Sequence, residues 1–582
     1  SYLRETDPRA ASSPFRVAAE TNWAFEAGDL NDRGEVSYSR YVDEGERLYV
    51  TRMGERTELA RSGRPAPGGG TYGPGVLGRV DLDSAGNAAF AFALDPLAFP
   101  IGRNAGVFRY DRAKGRTDAV VLPGVTQVPG GSGAFSGASR AVGNDRGDVA
   151  FGGIVETELG ALGSPFGSGV YLAPAGGGPV RAIAAPGDPA PGGGVFDFAA
   201  NPSMNGRGDV AFEGNRSTEP CLTDISPAAV LLCRSGVYMR PAQTGEVRRL
   251  AGQGDQVRGG TLLAAYGPMV NGKGDVVFAG DLEPAPELGT RAGIFLATPG
   301  GGIVPVVRPG DPMPGGGRAV SAGTGPPSFS VNDAGDVAFV VTLDTHEGDG
   351  LGADMGVYLW SQGQVRLVAR TGTVAPAIGT ITSLTTPALD GLGLAAAIVN
   401  NRGEVLFQAT LHDHRVVLVV ATGGAVDPCV DALDPEGEHL DGNGSLVFTE
   451  DDVLLQARFR GSLCRKAPAD RFFAPLLSEL DEREPQYVGA TLRFDPAMGD
   501  ADLKLLACEG DALVCTTPLV PDEVSAGPGA RSLRWTNTTG AAQVVAVDVA
   551  LAGGGDPALP YVLELFVNLP QPVFPPPGPP PS

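Results

Sequence analysis

The sequence predicts an all-β protein, in which a β-propeller of about eight blades is followed by a small β-sandwich. Three observations support this fold class. One turn motif recurs about every 60 residues through most of the chain. Stretches of alternating polar and apolar residues follow the turns, as in half-buried strands, and the 3.6-residue period of an amphipathic helix is missing. Gly (86) and Pro (50) stand at fixed offsets beside these stretches, which is typical of turns between strands.

The first element of the repeat has the form Asn/Asp-x-x-Gly-Asp/Glu-Val-x-Phe. The Asn side chain can accept a hydrogen bond from its own backbone two residues on, and Gly adopts a positive φ at no steric cost. We therefore interpret the motif as a structural turn that leads into a strand. Copies begin at Asn31, Asp83, Asn144, Asn205, Asn271, Asn332, Asn401 and Asp441. The clearest turn residues are Asn31 with Gly34, Asn144 with Gly147, Asn205 with Gly208, Asn271 with Gly274, and Asn332 with Gly335.

Further strands complete each unit. A Gly-Val-Tyr-Leu segment, such as that at Gly169, predicts another strand. A Pro-Gly block, such as the one from Ala185, ends the strand before it because Pro cannot donate to a sheet. Four short strands in about 60 residues is the pattern of a propeller blade.

The ends of the repeat region indicate how the ring closes. The last unit supplies only two strands, near Ser445–Phe448 and Val453–Phe459. We expect N-terminal strands within Phe15–Phe25 to complete that last blade. This closure favours eight blades in a propeller of residues 1–464, and seven is the alternative if the short unit 401–440 is not a full blade.

The repeat resembles bacterial extracellular tandem-repeat proteins of the NxxGxxxF type, over roughly residues 1–460. The resemblance implies a propeller in an extracellular protein. It implies no ligand and no activity.

The C-terminal part, residues 465–568, lacks the repeat. Its Asp-x-Asp-Leu-x-Leu stretch (Asp500–Leu505) and its Tyr561-Val-Leu563 segment resemble the bacterial pre-peptidase C-terminal domain. That resemblance implies a small β-sandwich appended to a secreted protein, and no catalysis. The Pro-rich tail, residues 569–582, is typical of polyproline II, and we expect it to act as a spacer or a docking strand.

Charge and cysteine content narrow the class of protein. The net charge of −23 argues against a nucleic-acid partner, because phosphates require a basic surface. No apolar run has the length of a transmembrane helix. Six cysteines without a Cys-x-x-Cys pair predict disulfides, and hence a secreted bacterial protein whose Ser1 follows a removed signal peptide. Proximity pairs Cys221 with Cys233, Cys429 with Cys464, and Cys508 with Cys515.

Two groups of residues are candidate metal ligands. His346 and Asp349 lie in one loop, and His412 and His414 lie in the equivalent loop of the next unit. Imidazoles beside carboxylates are a plausible site for a divalent metal, although exposed loop histidines are the simpler interpretation.

Calcium is the other candidate ion. Asp29 with Asn31, and Asp81 with Asp83, each offer two oxygen ligands at alternate positions. A calcium loop needs five or more oxygens and an acidic closing ligand, so we favour structural turns here as well.

The loops that follow the turn-led strand are the longest and most variable, so we expect them to form a binding rim. Acidic residues in these loops are Glu156, Glu158, Asp281, Glu283 and Glu287. No nucleophile elbow, HExxH or P-loop is present. The first hypothesis is a non-enzymatic adhesion protein that binds glycan or protein at this rim. The alternatives are a filament or surface-layer subunit that exchanges terminal strands, and a hydrolase or lyase acting on polysaccharide.

Overall fold

A computed structural model divides the chain into two compact units, residues 1–371 with 376–425, and residues 372–375 with 426–582. The structure describes residues 15–21, 25–42, 45–52, 55–95, 104–131, 133–156, 166–216, 235–283, 292–322, 328–345, 354–375, 378–384, 396–411, 413, 415–422, 438–439, 445–448, 453–463, 469–476, 486–494, 496, 499–509, 514–538, 543–554 and 559–569. Every regular element in these ranges is a β-strand, and no helix in them is long and apolar enough to cross a membrane.

The first unit is a β-propeller, and its described residues form seven antiparallel sheets in chain order. Blade 1 contains β2 (Phe25–Leu30), β3 (Val36–Val42), β4 (Gly45–Arg52) and β5 (Glu55–Arg61). Blade 2 contains β6 (Tyr72–Val76), β7 (Asp81–Leu82), β8 (Ala88–Leu94), β9 (Ala105–Asp111) and β10 (Arg116–Val121). Blade 3 contains β11 (Gly137–Gly143), β12 (Val149–Glu156), β13 (Phe166–Ala173) and β14 (Arg181–Ala184).

The remaining blades repeat this arrangement. Blade 4 contains β15 (Phe196–Met204), β16 (Val210–Arg216), β17 (Gly236–Arg240) and β18 (Arg248–Ala251). Blade 5 contains β19 (Gln256–Val257), β20 (Gly260–Val270), β21 (Val276–Leu282), β22 (Ala292–Ala297) and β23 (Ile303–Val307). Blade 6 contains β24 (Ala319–Ala322), β25 (Phe329–Val331), β26 (Val337–Leu343), β27 (Met355–Ser361) and β28 (Gln364–Arg370). After β29 (Val374–Ala375), blade 7 contains β30 (Gly379–Ser383), β31 (Ala397–Val399), β32 (Val405–Leu411) and β33 (Val416–Ala421).

The N-terminal strand closes the ring. The strand β1 (Phe15–Thr21) pairs antiparallel with β33, so that Phe15 lies opposite Ala421 and Thr21 opposite Val416. The Phe15 ring packs edge-on against Phe407, with 6.1 Å between the ring centroids. Closure by an N-terminal strand is confirmed, but this strand completes the sheet of β32 and β33 and not a blade that contains the strands near Ser445–Phe448 and Val453–Phe459.

The described sheets number seven, the smaller of the two counts that the sequence allows. The strands β35 (Ser445–Phe448) and β36 (Val453–Leu463), expected in a last blade, instead pair in the second unit. Along its whole length β36 lies beside β44 (Leu559–Leu569). This corrects the placement of the repeat at Asp441, because a turn motif fixes a local hairpin and not the sheet that the hairpin joins.

Blades 1 to 6 are each packed around an aromatic pair on the second and third strands, whereas in blade 7 Phe407 lies opposite Val419. In blade 4, Phe212 lies opposite Tyr238 and stacks on it at a centroid distance of 5.6 Å, while Phe196 contacts the Tyr238 ring edge-on at 5.0 Å. All three rings are buried. Such pairs contribute about 0.5–1.5 kcal/mol beyond the burial of their area. The last residue of the motif Asp-Val-x-Phe is therefore a core position.

The glycine of the Gly-Val-Tyr segment makes room for this aromatic ring. A Cβ atom on Gly356 would stand 2.5 Å from the ring of Tyr358 and 2.7 Å from its hydroxyl oxygen. Gly169, Gly236 and Gly293 have the same close approach to the ring two residues on. The glycine is thus required by packing and not by its φ angle.

The second unit is a sandwich of two sheets. Its strands are β34 (Glu438–His439), β35, β36, β37 (Ala469–Leu476), β38 (Tyr487–Phe494), β39 (Gly499–Glu509), β40 (Val514–Pro518), β41 (Glu523–Gly527), β42 (Ala530–Thr536), β43 (Gln543–Gly554) and β44. Val547 from one sheet and Leu565 from the other are fully buried in one core. Cys508 and Cys515 face each other across β39 and β40 and form a disulfide. The other two predicted pairings, of Cys221 with Cys233 and Cys429 with Cys464, lie outside the described residues.

We expect Gly356→Ala to lower the free energy of unfolding of the first unit by about 1–3 kcal/mol, because the added methyl overpacks against Tyr358. Chemical denaturation followed by tryptophan or tyrosine fluorescence measures the change. Gly176→Ala is the matched control, since nothing lies within 4 Å of its added Cβ. Equal stabilities for the two variants would contradict the packing role.

Candidate functional site

Seven turns of constant length lie at one end of the propeller, which we call the turn face. They span residues 31–35, 83–87, 144–148, 205–209, 271–275, 332–336 and 400–404, each between the first and second strands of a blade. Because all seven surround the axis, their side chains define the mouth of the central channel. The candidate site is built from these turns and from the first strands that precede them.

Each turn is held by the side chain of its first residue, which is an Asn amide in six turns and the Asp83 carboxylate in blade 2. In blade 4, Asn205 Oδ1 accepts hydrogen bonds from the backbone N–H groups of Arg207 and Asp209, both at 3.0 Å. Its Nδ2 donates to the Asp209 carboxylate at 2.9 Å, and that carboxylate also accepts from the amide of Ala242 at 2.9 Å. Gly208 takes a φ of +84°. The Asn, Gly and acidic residues of the motif therefore form one hydrogen-bonded unit.

The same hydrogen-bonded unit of Asn and acidic residue recurs in the other turns, and in one turn the two residues exchange positions. The Asn Nδ2 donates to the acidic residue four positions on in six of the seven described turns, at Asn31, Asn144, Asn205, Asn271, Asn332 and Asn400. In blade 2 the two chemical roles are exchanged. Asp83 accepts from the backbone, and Asn87 Nδ2 donates to Asp83 Oδ2 at 2.7 Å.

In blade 7 the turn begins one residue earlier than the sequence motif predicts. The cap of its turn is Asn400, whose Oδ1 accepts from the amides of Arg402 and Glu404. The sequence alignment placed Asn401 there. Asn401 instead occupies the second position, where its Nδ2 donates to Asp32 Oδ2 at 3.0 Å.

The turns are joined into a closed circle that we call the turn belt. The second Nδ2 hydrogen of an Asn cap donates to the backbone carbonyl of the next cap at Asn31, Asn205, Asn271, Asn332 and Asn400. The bond from Asn400 to Asn31, at 3.1 Å, joins the last blade to the first. At the other two junctions, Ser84 donates its amide to Asp145 at 2.9 Å, and Arg146 donates to the Arg207 carbonyl at 2.6 Å.

A second layer of blade-to-blade bonds lies one step deeper in the channel. The residue two positions before the cap accepts the backbone amide of the next blade's first strand at Asp29, Asp81, Ser203 and Ser330. The two Asp residues belong to adjacent blades, so this layer is charged on one side only.

Charged side chains meet in that sector. Arg79 Nη2 lies 3.2 Å from Asp81 Oδ1 and 3.7 Å from Asp29 Oδ1. Arg140, on the first strand of blade 3, reaches across to Met269 of blade 5, with 3.3 Å from Nη2 to Sδ. Arg79 and Arg140 are 8% and 6% exposed, so both guanidinium groups are desolvated. The channel mouth encloses a cavity of about 310 Å³, lined by residues of all seven blades including Arg79, Asp29, Asp81 and Met269.

Burial changes the protonation of this cluster. Burial, with the nearby Asp29 charge, raises the pKa of Asp81 to about 6, although Arg79 acts against this. Burial, with the nearby Arg79 charge, lowers the pKa of Arg140 to about 9, although Asp81 and Asp29 act against this. The site is thus able to change its proton content near neutral pH.

The structure accounts for the candidate calcium ligands as structural groups. Asp29 and Asp81 accept backbone amides and face Arg79, while Asn31 and Asp83 are turn caps. In the described part of the chain, no group of three or more His, Cys, Asp or Glu side chains could hold a metal ion. The other metal candidates, His346, Asp349, His412 and His414, lie outside the described residues.

The acidic residues predicted at the rim behave differently from one another. Asp281 is fully buried beside Tyr266. Asp354, which follows the candidate metal ligands His346 and Asp349 in the chain, is also fully buried and lies 3.7 Å from Arg370. Neither is therefore a surface ligand. Glu283 is exposed. Glu158 and Glu287 lie outside the described residues, as does the side chain of Glu156.

Sequence reasoning missed Arg79 and Arg140. Each stands four residues before the first residue of its turn, at Asp83 and Asn144. A comparison of the repeats at that position would have shown two arginines where other blades carry Asn201, Ser328 or Ala396.

A comparison with protein families finds one match that covers most of the first unit. The family described as "Family of unknown function (DUF7453)" matches residues 3–228 and again residues 226–423. The chain belongs to this family. Its second match ends near the end of the first compact unit at residue 425. A comparison with curated proteins finds no match.

Solved structures with similar folds have little sequence identity to this chain. PorZ, a bacterial surface component of the type-IX secretion system of Porphyromonas gingivalis, has a TM-score of 0.38 and 13% identity over 76% of this chain and 53% of its own. The tricorn protease has a TM-score of 0.35 and 9% identity over 72% of this chain and 36% of its own, so this chain matches about a third of that protein. Trypanosoma rangeli sialidase has a TM-score of 0.31 and 9% identity over 95% of this chain and 91% of its own. DUF7453 membership and the seven sheets are therefore the informative findings.

We expect Asn271→Asp to destabilise the first unit by about 2–3 kcal/mol, because it removes two buried donors and places a carboxylate beside Asp275. The double variant Asn271→Asp/Asp275→Asn reproduces the exchanged pair of blade 2 and should recover more than half of that loss. Urea denaturation measures both. No recovery in the double variant would contradict the assigned hydrogen bonds.

We expect the stability of the wild type, relative to Asp81→Asn, to rise by on the order of 2 kcal/mol between pH 7 and pH 4.5. The folded pKa of Asp81 is about 6, above the usual value, so the folded state binds the proton more tightly and gains stability as the pH falls through that range. Denaturation of both proteins at the two pH values separates the contribution of the Asp81 site from that of distant carboxylates. A difference that shrinks on acidification would contradict the assigned environment.

Proposed function

We propose that the chain is a secreted, non-enzymatic binding protein of the bacterial cell surface, and that it holds a glycan or protein at the propeller face opposite the turn face. One observation carries this proposal. The turns between the first and second strands of the seven blades all have the same length, whereas the connections between the second and third strands, at the opposite face, differ widely in length.

The strand bounds show the contrast. In blade 1, β3 ends at Val42 and β4 begins at Gly45, whereas in blade 4, β16 ends at Arg216 and β17 begins at Gly236. Connections of variable sequence on a rigid scaffold are where binding proteins carry their ligand contacts. The turn belt supplies the rigid scaffold, since its polar side chains are engaged in structural hydrogen bonds.

Two features support secretion. The disulfide between Cys508 and Cys515 is typical of an oxidising compartment. The second unit has the two-sheet form that the resemblance to the pre-peptidase C-terminal domain implies, and such domains accompany secreted proteins.

The alternatives receive less support. In a filament formed by strand exchange, β1 of one subunit would have to leave its pairing with β33 of its own chain. For a hydrolase or lyase, the buried carboxylates Asp281 and Asp354 are candidates, yet both contact neighbouring side chains inside the blades.

The test is a pull-down of the full chain on chitin, cellulose, peptidoglycan and alginate beads, with and without residues 217–234 replaced by a short Gly-Ser linker. We expect the intact chain to bind at least one polymer and the variant to lose at least 10-fold in retention, at an unchanged melting temperature. The control replaces residues 175–178, an exposed connection on the turn face.

Retention that survives the loop replacement but is lost on changing residues 175–178 would contradict the assignment of the binding face. Turnover of any of these polymers by the intact chain would contradict the non-enzymatic part of the proposal.

A further inference from the structure

Arg140 is a buried cation whose one hydrogen-bond acceptor among the described residues is a sulfur atom. Its Nη2 donates to the Met269 thioether at 3.3 Å, and its Nε has no acceptor. Only 6% of Arg140 and 7% of Met269 are exposed. A thioether is a weak acceptor, so it compensates little of the cost of removing a guanidinium from water.

The neighbouring carboxylates are already occupied. Asp81 accepts the Gly143 amide at 2.9 Å through Oδ2 and Arg79 at 3.2 Å through Oδ1. Asp29 accepts a backbone amide of the next blade at 3.0 Å through Oδ2. These bonds hold blade to blade, so neither carboxylate is available to turn toward Arg140.

The partner of Arg140 is open to small molecules from the turn face. Met269 lines the cavity of about 310 Å³ at the channel mouth, whereas Arg140 does not. A water molecule takes up about 30 Å³ of liquid volume, so the cavity has room for hydrogen peroxide, which is only slightly larger. A small oxidant that enters the channel mouth therefore meets Met269 and not the guanidinium behind it.

We propose that Met269 is an oxidation site, at which hydrogen peroxide converts the thioether to a sulfoxide whose oxygen accepts a hydrogen bond from Arg140. A lone pair of the sulfur attacks one peroxide oxygen, and the O–O bond breaks. The proton of the attacked oxygen passes to the departing hydroxide, so the products are the sulfoxide and water. Sulfur loses the two electrons that the peroxide gains.

The modified side chain supplies what Arg140 lacks. A sulfoxide oxygen is a much stronger acceptor than a thioether, and a hydrogen bond from a guanidinium is charge-assisted. In an apolar core a methionine sulfoxide is disruptive, because its polar oxygen has no donor. At Met269 the donor is already in place. Oxidation therefore strengthens a contact across the channel between blades 3 and 5, and this consequence does not depend on the function proposed for the opposite face.

Other methionines separate access to the channel mouth from contact with a guanidinium. Met204 lines the same cavity, but its sulfur lies 3.7 Å from an uncharged donor, Asn144 Nδ2. Met239 is 2% exposed and lies 3.8 Å from Arg248 Nη2, but it does not line the cavity. Met313 is 5% exposed and does not line the cavity either. Met239 and Met313 are thus matched to Met269 in burial alone.

The first experiment is treatment of the folded full chain with graded hydrogen peroxide, followed by peptide mapping with mass spectrometry. We expect Met269 to be oxidised at least about 10-fold faster than Met239 and Met313, because the cavity gives the oxidant access to it. Equal rates at the three methionines would overturn the site.

The second experiment tests the contact with Arg140. In a Met204→Leu background, oxidation should leave the melting temperature unchanged or raise it. In the same background with Arg140→Leu added, oxidation should lower it, because the sulfoxide then has no donor. Met269→Leu in that background measures the effect of the other methionines, which is subtracted from both shifts. An equal fall in melting temperature with and without Arg140 would overturn the assigned hydrogen bond.

Discussion

The caps of the seven turns, six Asn residues and Asp83, are the interaction on which the rest of the propeller depends. An Asn cap closes its own turn through Oδ1 and fixes the acidic residue four positions on through Nδ2. At five of the seven junctions the cap also donates its remaining hydrogen to the backbone of the next blade. Because the cap at Asn400 donates to Asn31, the chain of contacts has no free end. The position of every blade is therefore set relative to both of its neighbours.

This circle explains why the two faces of the propeller differ. On the turn face the side chains are engaged in hydrogen bonds within and between blades, and a change of turn length would break the circle. On the opposite face the second and third strands can be joined by segments of any length, as the ends of β16 and β17 show. Ligand-specific sequence can accumulate there without disturbing the scaffold, and this separation underlies the proposed binding function.

The channel sector with Arg79 and Arg140 departs from the regular pattern. Where other blades carry a neutral acceptor such as Ser203 or Ser330, blades 1 and 2 carry Asp, and two arginines are buried nearby. Such charges cost stability unless they are paired. A departure of this kind from a repeat that is otherwise uniform is expected at a functional site.

The local features of the sequence predicted turns and strands correctly, but they did not specify which sheet each strand joins. The turn chemistry at Asn205 and the strand after it follow from residues within one motif. The sheet that contains Ser445–Phe448 depends on pairing with β44, more than a hundred residues away, which no motif encodes. Arg140 and Asp81 carry no repeat signature, and the packing of blade 2 against blade 3 brings them together. Long loops, with His346 and His412, contain no pattern that specifies contacts.

Hydrogen–deuterium exchange on the full chain and on a variant lacking residues 1–21 tests ring closure most directly. In the closed ring, every blade is stabilised by contacts with both of its neighbours, so the deletion should lower amide protection in all seven blades. Loss of protection confined to β32 and β33, with blades 2 to 5 unchanged, would show that the blades are independent and would contradict the account that closure of the ring holds every blade through both of its neighbours.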